Sequence, residues 1–360
     1  AYSKAILSLL NDYRPLMTDS PVREYQVSEE IGLTYMNTNV HHHSLYKGYP
    51  DNEKLINDSL VKHGYVLYSN VKYFNIVSAA AKSIRAFSNL PIYVYMLDSD
   101  LKVNVENVTT IKWVCNLEND ANMYESSESN FYINRNNSNI YKLLIQRPLI
   151  MKDVLTNYLD IAVYVDSDSI ATPNVDNIFN LYTDFSYPFF VQGVYDYLFA
   201  NGRGGAETKE DLTTTLEHPA CELYSVNQKV RERYRQTGYF IASKDCIDFM
   251  DEWYWMCINP KILKNNEHYA PYNEETILNV LLWKYNILNG LPYIYVNGSL
   301  DNIDLIYDKV GLDDNEEELS KWVRVPASKE NLLFFHGEKD VDIMEKMIEK
   351  LKEIWIQKKL

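Results

Sequence analysis

Apolar and polar positions along this chain repeat at two periods, about 2 and about 3.6 residues, and the alternation between them marks out a βα series. Tyr65 to Asn70 reads as a short strand, and a helix follows from about Val71 to Phe87 with Phe74, Val77, Ala81 and Ile84 on one face. Pro91 separates it from a second strand, Ile92 to Leu97, which closes in Asp98, and Thr110 to Val114 is a third. The polar stretch from Asn116 to Asn139 is read as an excursion loop. From Tyr141 to Tyr158 the period is helical again, with Leu143, Leu144, Leu149, Ile150 and Leu155 on the buried side and Pro148 predicting a kink or a division into two pieces. A continuous apolar run, Ala162 to Val165, then enters Asp166-Ser167-Asp168 and reads as a buried central strand ending in two carboxylates.

Beyond it comes the segment Val175 to Leu181, then Pro188 to Val194 and Gln236 to Ser243 read as strands, and residues 206–235 are polar. Asp245 to Cys257 makes an aromatic helix through Phe249, Trp253 and Met256, and Asn273 to Trp283 a second. Pro292 to Val296 and Leu332 to Gly337 are strand-like, Asp313 to Glu318 is an acidic solvated run, and the last twenty residues form an amphipathic helix with Ile343, Met347, Leu351, Ile354 and Trp355 on one side. Docking on the core is the first reading of that helix, and contact with a partner or a membrane surface the second. The whole pattern predicts an α/β fold with a mixed, mostly parallel central sheet flanked by helices and a C-terminal amphipathic helix. Residues 1–60 stand apart as an extension, with a short helical pattern at Ser3 to Tyr13 and a polar loop holding His41-His42-His43. Adjacent side chains diverge in both strand and helix, so these histidines are read as a surface loop rather than a metal site.

With 360 residues, 46% of them hydrophobic and 24% charged, the chain is long enough for a substantial core. The net charge of −15 argues against nucleic-acid binding, since a phosphate backbone would be repelled. Cys115, Cys221, Cys246 and Cys257 match no zinc spacing and read as core thiols of a cytoplasmic or otherwise reducing compartment. No apolar run is long enough to span a membrane. The 30 tyrosines suit stacking on sugar rings, although an AT-rich coding bias would produce the same excess. Asn201 to Gly205 lacks the strand and helix that a phosphate loop needs and is read as a flexible turn.

The candidate chemistry lies in three places. Strand alternation puts Asp166 and Asp168 on one side and Ser167 on the other, and two carboxylates that close are a natural seat for a divalent cation. A polar turn ending a strand is the plainer alternative. Glu274 and Glu275 open a helix, where acids complement the dipole or project into a cleft. His336-Gly337 ends a late strand, a place that favours a ligand over a core histidine.

In this order the motifs resemble those of the GT-A glycosyltransferases, and are most similar to the retaining family that includes glycogenin and the bacterial lipooligosaccharide galactosyltransferases. The similarity runs over roughly residues 64–340 and rests on Ser69, Asn70 and Tyr73 after the first strand, Lys82-Ser83-Ile84 on the helix, Leu97-Asp98, Asp166-Ser167-Asp168, Gln236-Thr237-Gly238, Glu274 to Asn279 and His336-Gly337. Glu-Glu-Thr stands where that family has Asp-Gln-Asp, and Glu338-Lys339-Asp340 replaces its Lys-Pro-Trp run.

The resemblance implies a domain over residues 61–340, with a donor half to about 170 and an acceptor half from 171, followed by the 341–360 helix. It implies a nucleotide-sugar donor, of which a UDP-sugar is the first choice, a glycan, protein or other hydroxyl acceptor, and Mn²⁺ or Mg²⁺ held by Asp168, His336 and Asp166. Ser69, Asn70, Tyr73, Asp98, Ser167, Arg147 or Lys142, and Lys339 are the implied donor contacts. Glu275 or Glu274 would be the base of an inverting enzyme or would steady the cationic sugar of a retaining one. Two other readings compete: a haloacid-dehalogenase-like phosphatase with Asp166 as nucleophile and Asp168 as its partner, and a GT-A-like module that binds nucleotide or glycan without transfer. The first needs its motif at the start of the fold, and here three strands precede it.

Overall fold

Strand β1 (His63–Ser69) buries every residue after His63, so its Val, Leu and Tyr side chains face helices on both sides, as in the interior of a parallel sheet. The computed structural model describes residues 61–115, 143–192, 235–258, 274–287, 289–297, 300, 303, 326 and 328–359. All of these fall in one of the two units into which the chain divides, residues 52–360. Strand β1 leads through a 3-10 turn, Val71–Tyr73, into helix α1 (Phe74–Phe87), and then come β2 (Ile92–Leu97), β3 (Val108–Trp113), α2 (Gln146–Asn157), β4 (Ile161–Val165) and β5 (Ser169–Ala171). The second half adds β6 (Phe189–Gln192), β7 (Arg235–Ser243), α3 (Ile247–Ile258), α4 (Glu274–Lys284), β8 (Tyr295–Asn297), β9 (Phe334–His336) and α5 (Val341–Lys359).

The main sheet runs in the order β3-β2-β1-β4-β7-β6. Strands β3, β2, β1 and β4 are mutually parallel, β7 is antiparallel to β4, and β6 is antiparallel to β7, so β7 alone is reversed. This is the mixed, mostly parallel sheet that the sequence pattern predicts. A second sheet, β5-β9-β8, continues from the end of β4.

Alternate residues of β1 enter two cores. Val66 and Tyr68 pack with Ile150, Met250, Trp253 and Leu281 of α2, α3 and α4, whereas Tyr65 and Leu67 pack with Val77 and Ile84 of α1 and Met347 of α5. Helix α5 therefore docks on the core: Met344, Met347, Ile348 and Leu351 are buried against α1 and β5, each worth roughly 1.5–3 kcal/mol of burial. Trp355 edges onto Phe87 at 5.9 Å, and Lys82 Nζ reaches Glu345 at 2.8 Å. Among the described residues no helix is long and apolar enough to cross a membrane.

Several boundaries differ from the sequence pattern, and three of them have a local reason. Helix α2 begins at Gln146, so Pro148 sits in its first turn, where a missing N–H leaves no broken bond; the break falls at Ile145. Val71–Tyr73 is a 3-10 turn because Asn70 caps it, its side-chain oxygen accepting from the Tyr73 N–H. Strand β8 starts three residues late, since Leu291 instead bridges to Val191 of β6. The Asn116–Asn139 segment, residues 206–234 of the polar 206–235 stretch, Asn201–Gly205, Asp313–Glu318, Cys221 and all of residues 1–60 lie outside the described residues.

Candidate functional site

The chain fills the sheet outward from β1 in one direction through β2 and β3 and then returns to place β4 on its other side. The carboxyl ends of β1 and β4 therefore flank the point where strand order reverses, which is where open α/β sheets form a ligand crevice. Ser167, just past β4, closes the gap by donating from Oγ to the Tyr68 carbonyl at 2.8 Å.

Three potential ligands converge there. The Asp166 N–H donates to the Gly238 carbonyl of β7 at 2.9 Å, continuing the β4–β7 ladder one step beyond the strand. Antiparallel pairing of β5 with β9 sets Ser169 opposite His336, and the Gly337 N–H donates to the Asp168 carbonyl at 2.9 Å. Gly337 has φ +94°, a conformation that L side chains rarely adopt, which accounts for glycine directly after the histidine. Together these pairings bring one ligand atom each of Asp166, Asp168 and His336 within 4.8 Å of one another. Two carboxylate oxygens and an imidazole nitrogen form a donor set that could hold a divalent ion.

The electrostatics agree with that use. Burial pushes the Asp168 carboxyl above its ordinary range and Asp166 adds to the rise, while His336 and Lys339 pull the other way. His336 Nδ1 lies 3.5 Å from Asp168 Oδ1, and Lys339 Nζ, on an exposed side chain, lies 3.7 Å from Asp168 Oδ2. The hydroxyl of Tyr239, buried between Tyr295 and Phe334, is 3.0 Å from His336 Nδ1 and 2.7 Å from Ser169 Oγ.

Behind the carboxylates sits Arg147, only 4% exposed. Its guanidinium donates to Glu274 Oε1 and Thr237 Oγ1, both at 2.5 Å, and to Asp166 Oδ1 at 3.2 Å, and it lies over the Tyr164 ring at 4.9 Å. Arg147 thus directs its charge inside the protein, where it holds two acids. Glu274 is equally committed: it is 2% exposed, burial pushes its carboxyl up, and Arg147 offsets part of that rise. Glu275 differs. It is half-buried, and its Oε2 accepts from the Thr237 N–H at 3.1 Å and from the Thr237 hydroxyl at 3.3 Å.

The remaining sequence candidates are scattered around this centre. Ser69 is buried and donates to the Asn70 carbonyl at 3.1 Å, and Asn70 uses its side chain on the Tyr73 cap. Tyr73 is 40% exposed at the end of β1, with Lys72 Nζ 5.1 Å from its ring centroid. Asp98 holds a turn at φ 49°, and its Oδ1 accepts from the Cys115 N–H at 3.0 Å. Lys142 lies outside the described residues. Ser83 of the Lys-Ser-Ile segment braces α1 to β5 by accepting from the Ala171 N–H at 2.9 Å, and Asn279 ties α4 to both backbone groups of Arg235. The sequence pattern missed Tyr164 and Tyr239 beside these ligands, because each occupies a position that strand periodicity assigns to the core, and it named Thr237 only within the Gln236-Thr237-Gly238 segment, with no role of its own.

Gly238 carries the closest approach in the site. A Cβ there would meet Asp166 Oδ2 at 2.8 Å. Because Asp166 Oδ1 is already held by Tyr164 and Arg147, the carboxylate cannot turn aside without giving up those bonds. Gly238→Ala is expected to cost about 1–3 kcal/mol in denaturant unfolding, an overpacking penalty, and an unchanged midpoint would refute the tight fit.

No family model matches the chain, and no curated protein matches it. Among solved structures it is similar to the WbbM bifunctional glycosyltransferase in its apo form, at 12% identity and a TM-score of 0.48, over 96% of this chain and 62% of that one. It is also similar to the galactosyltransferase LgtC in complex with donor and acceptor sugar analogs, at 13% identity and a TM-score of 0.42, over 80% of this chain and 94% of that one. An active-site mutant of LgtC aligns at 14% identity and a TM-score of 0.37, over 60% of this chain and 69% of that one. The chain spans less than two thirds of WbbM's length.

Proposed function

We propose that this chain is a metal-dependent GT-A glycosyltransferase that moves a hexose from a nucleotide-sugar, a UDP-sugar in the first instance, to a hydroxyl acceptor. The observation that carries the reading is the gathering of Asp166, Asp168 and His336 at the strand-order reversal beside the end of β1. The fit of a cation is supported by the donor chemistry and by Gly238, whose missing Cβ leaves Asp166 Oδ2 its place. A bound Mn²⁺ or Mg²⁺ would supply Lewis-acid neutralisation of the charge on a leaving diphosphate. Lys339, exposed beside Asp168, adds a cation on the same side. Tyr73 offers a ring to a nucleobase, and Glu275 offers the carboxylate that takes the acceptor's proton or balances positive charge on the sugar. Arg147 keeps Asp166 and Glu274 in place as an internal counter-ion.

Calorimetric titration of UDP, GDP and CMP with and without Mn²⁺ tests this reading. One nucleotide, UDP, is expected to bind about 10–100-fold more tightly with the metal, with the difference lost in Asp168→Ala. If no nucleotide binds under either condition, the glycosyltransferase reading falls and a phosphomonoester screen takes its place.

A further inference from the structure

Each oxygen of Asp166 has a distinct environment. Oδ1 accepts from the Tyr164 hydroxyl at 2.8 Å and from Arg147 at 3.2 Å, which occupies both of its in-plane lone pairs. Oδ2 instead lies over the bare Cα of Gly238, and the Asp166 N–H is fixed on the Gly238 carbonyl. The backbone and one oxygen of this residue are thus tied down, and among the described residues the other oxygen makes no hydrogen bond.

Tyr164 is well placed to impose that division. It is 2% exposed, and its ring is stacked on Phe240 at 5.2 Å, tilted against Tyr68 at 5.7 Å and covered by Arg147 at 4.9 Å. A ring packed on three sides cannot swing, so its hydroxyl is delivered at a fixed point. The Arg147 contact with the same oxygen is longer, and its guanidinium is shared with Glu274 and Thr237. The tyrosine is therefore the more directed of the two holds.

We infer that Tyr164 is a positioning residue for metal binding: by engaging Asp166 Oδ1 it leaves Oδ2 as the oxygen that Asp166 can offer to an ion held with Asp168 and His336. The inference rests on the metal site of the proposed function. It assigns a role to a hydroxyl in an otherwise apolar strand, where a phenylalanine would fill the core equally well.

The test is the Mn²⁺ dissociation constant, read from the electron paramagnetic resonance of free Mn²⁺, for wild type, Tyr164→Phe, Asp166→Ala and the double variant. Tyr164→Phe keeps the ring, and circular dichroism checks the fold. Loss of an outer hydrogen bond to a ligand is expected to weaken Mn²⁺ binding about 10–100-fold. In the Asp166→Ala background the same change is expected to cost less than about twofold, because Tyr164 acts through Asp166; a merely structural role would lower affinity equally in both backgrounds. Equal affinity of Tyr164→Phe and wild type overturns the inference while leaving the metal site standing. A wild-type protein that binds no Mn²⁺ removes the site and the inference together, and that failure shows in the first titration, before any variant is compared.

Discussion

Arg147→Met is expected to lower stability by about 3–5 kcal/mol, the cost of stranding a buried acid without its cation. Both partners of the Arg147–Glu274 pair are almost fully enclosed, with side chains 5% and 3% exposed, so water cannot take over when the guanidinium is gone. The loss is compounded because the same group holds Asp166 and Thr237, which bridges to Glu275. In a thermal melt this corresponds to a fall on the order of 10 °C. Adding Glu274→Gln should recover part of it, since the double variant leaves only the more exposed Asp166 without its cation; a pair of charges is costly to bury and costlier to break. A single variant that melts within about 2 °C of wild type would mean that Glu274 is not ionised in the folded protein, and that the pair is held by a neutral hydrogen bond.

That network also shows what a sequence can and cannot reveal. The βα series was legible from β1 to β4 because buried parallel strands are continuous apolar runs and the helix between them shows its period directly. Asp166 and Asp168 were legible for the same reason: packing alone gives no cause for two carboxylates at the end of such a run. Arg147 was visible as a cation on a helix, but its partner Glu274 is 127 residues away, and only the packing of α4 beside β7 brings the two together. His336 was found by its place at a strand end, whereas its position beside Asp168 depends on the β5–β9 register, which no local pattern encodes.

At Asn70 and Asp98 the fold adds a use that the sequence does not show: the side chains that the resemblance assigns to the donor also cap a 3-10 turn and hold a positive-φ bend. Tyr164 and Tyr239 were hidden by an ambiguity in the residue itself, since a buried tyrosine fills a core as well as phenylalanine does. Its hydroxyl takes on meaning only when a neighbouring segment supplies a partner.

Glu275→Gln is expected to reduce turnover by about 10²–10⁴, with nucleotide affinity changed by no more than a fewfold. The two glutamates that open α4 look interchangeable in the sequence, but the fold divides their work. Glu274 is buried against Arg147, while Glu275 remains half-buried with its Oε2 held by the Thr237 N–H and hydroxyl. Thr237 is the residue before Gly238, whose carbonyl fixes Asp166, so one short stretch of β7 backbone sets the spacing between Glu275 and the candidate metal ligands. A glutamine can still accept the Thr237 N–H bond, so the substitution keeps that anchor while removing charge and basicity. The companion variant Glu274→Gln should show the reverse, a lower melting temperature from the unbalanced Arg147. Steady-state kcat and KM for both variants, with one substrate varied while the other is held in excess, together with thermal melts, separate these outcomes. Near-wild-type kcat in Glu275→Gln would remove it from the chemistry, and a group on the acceptor or the donor's own phosphate would then have to take the proton.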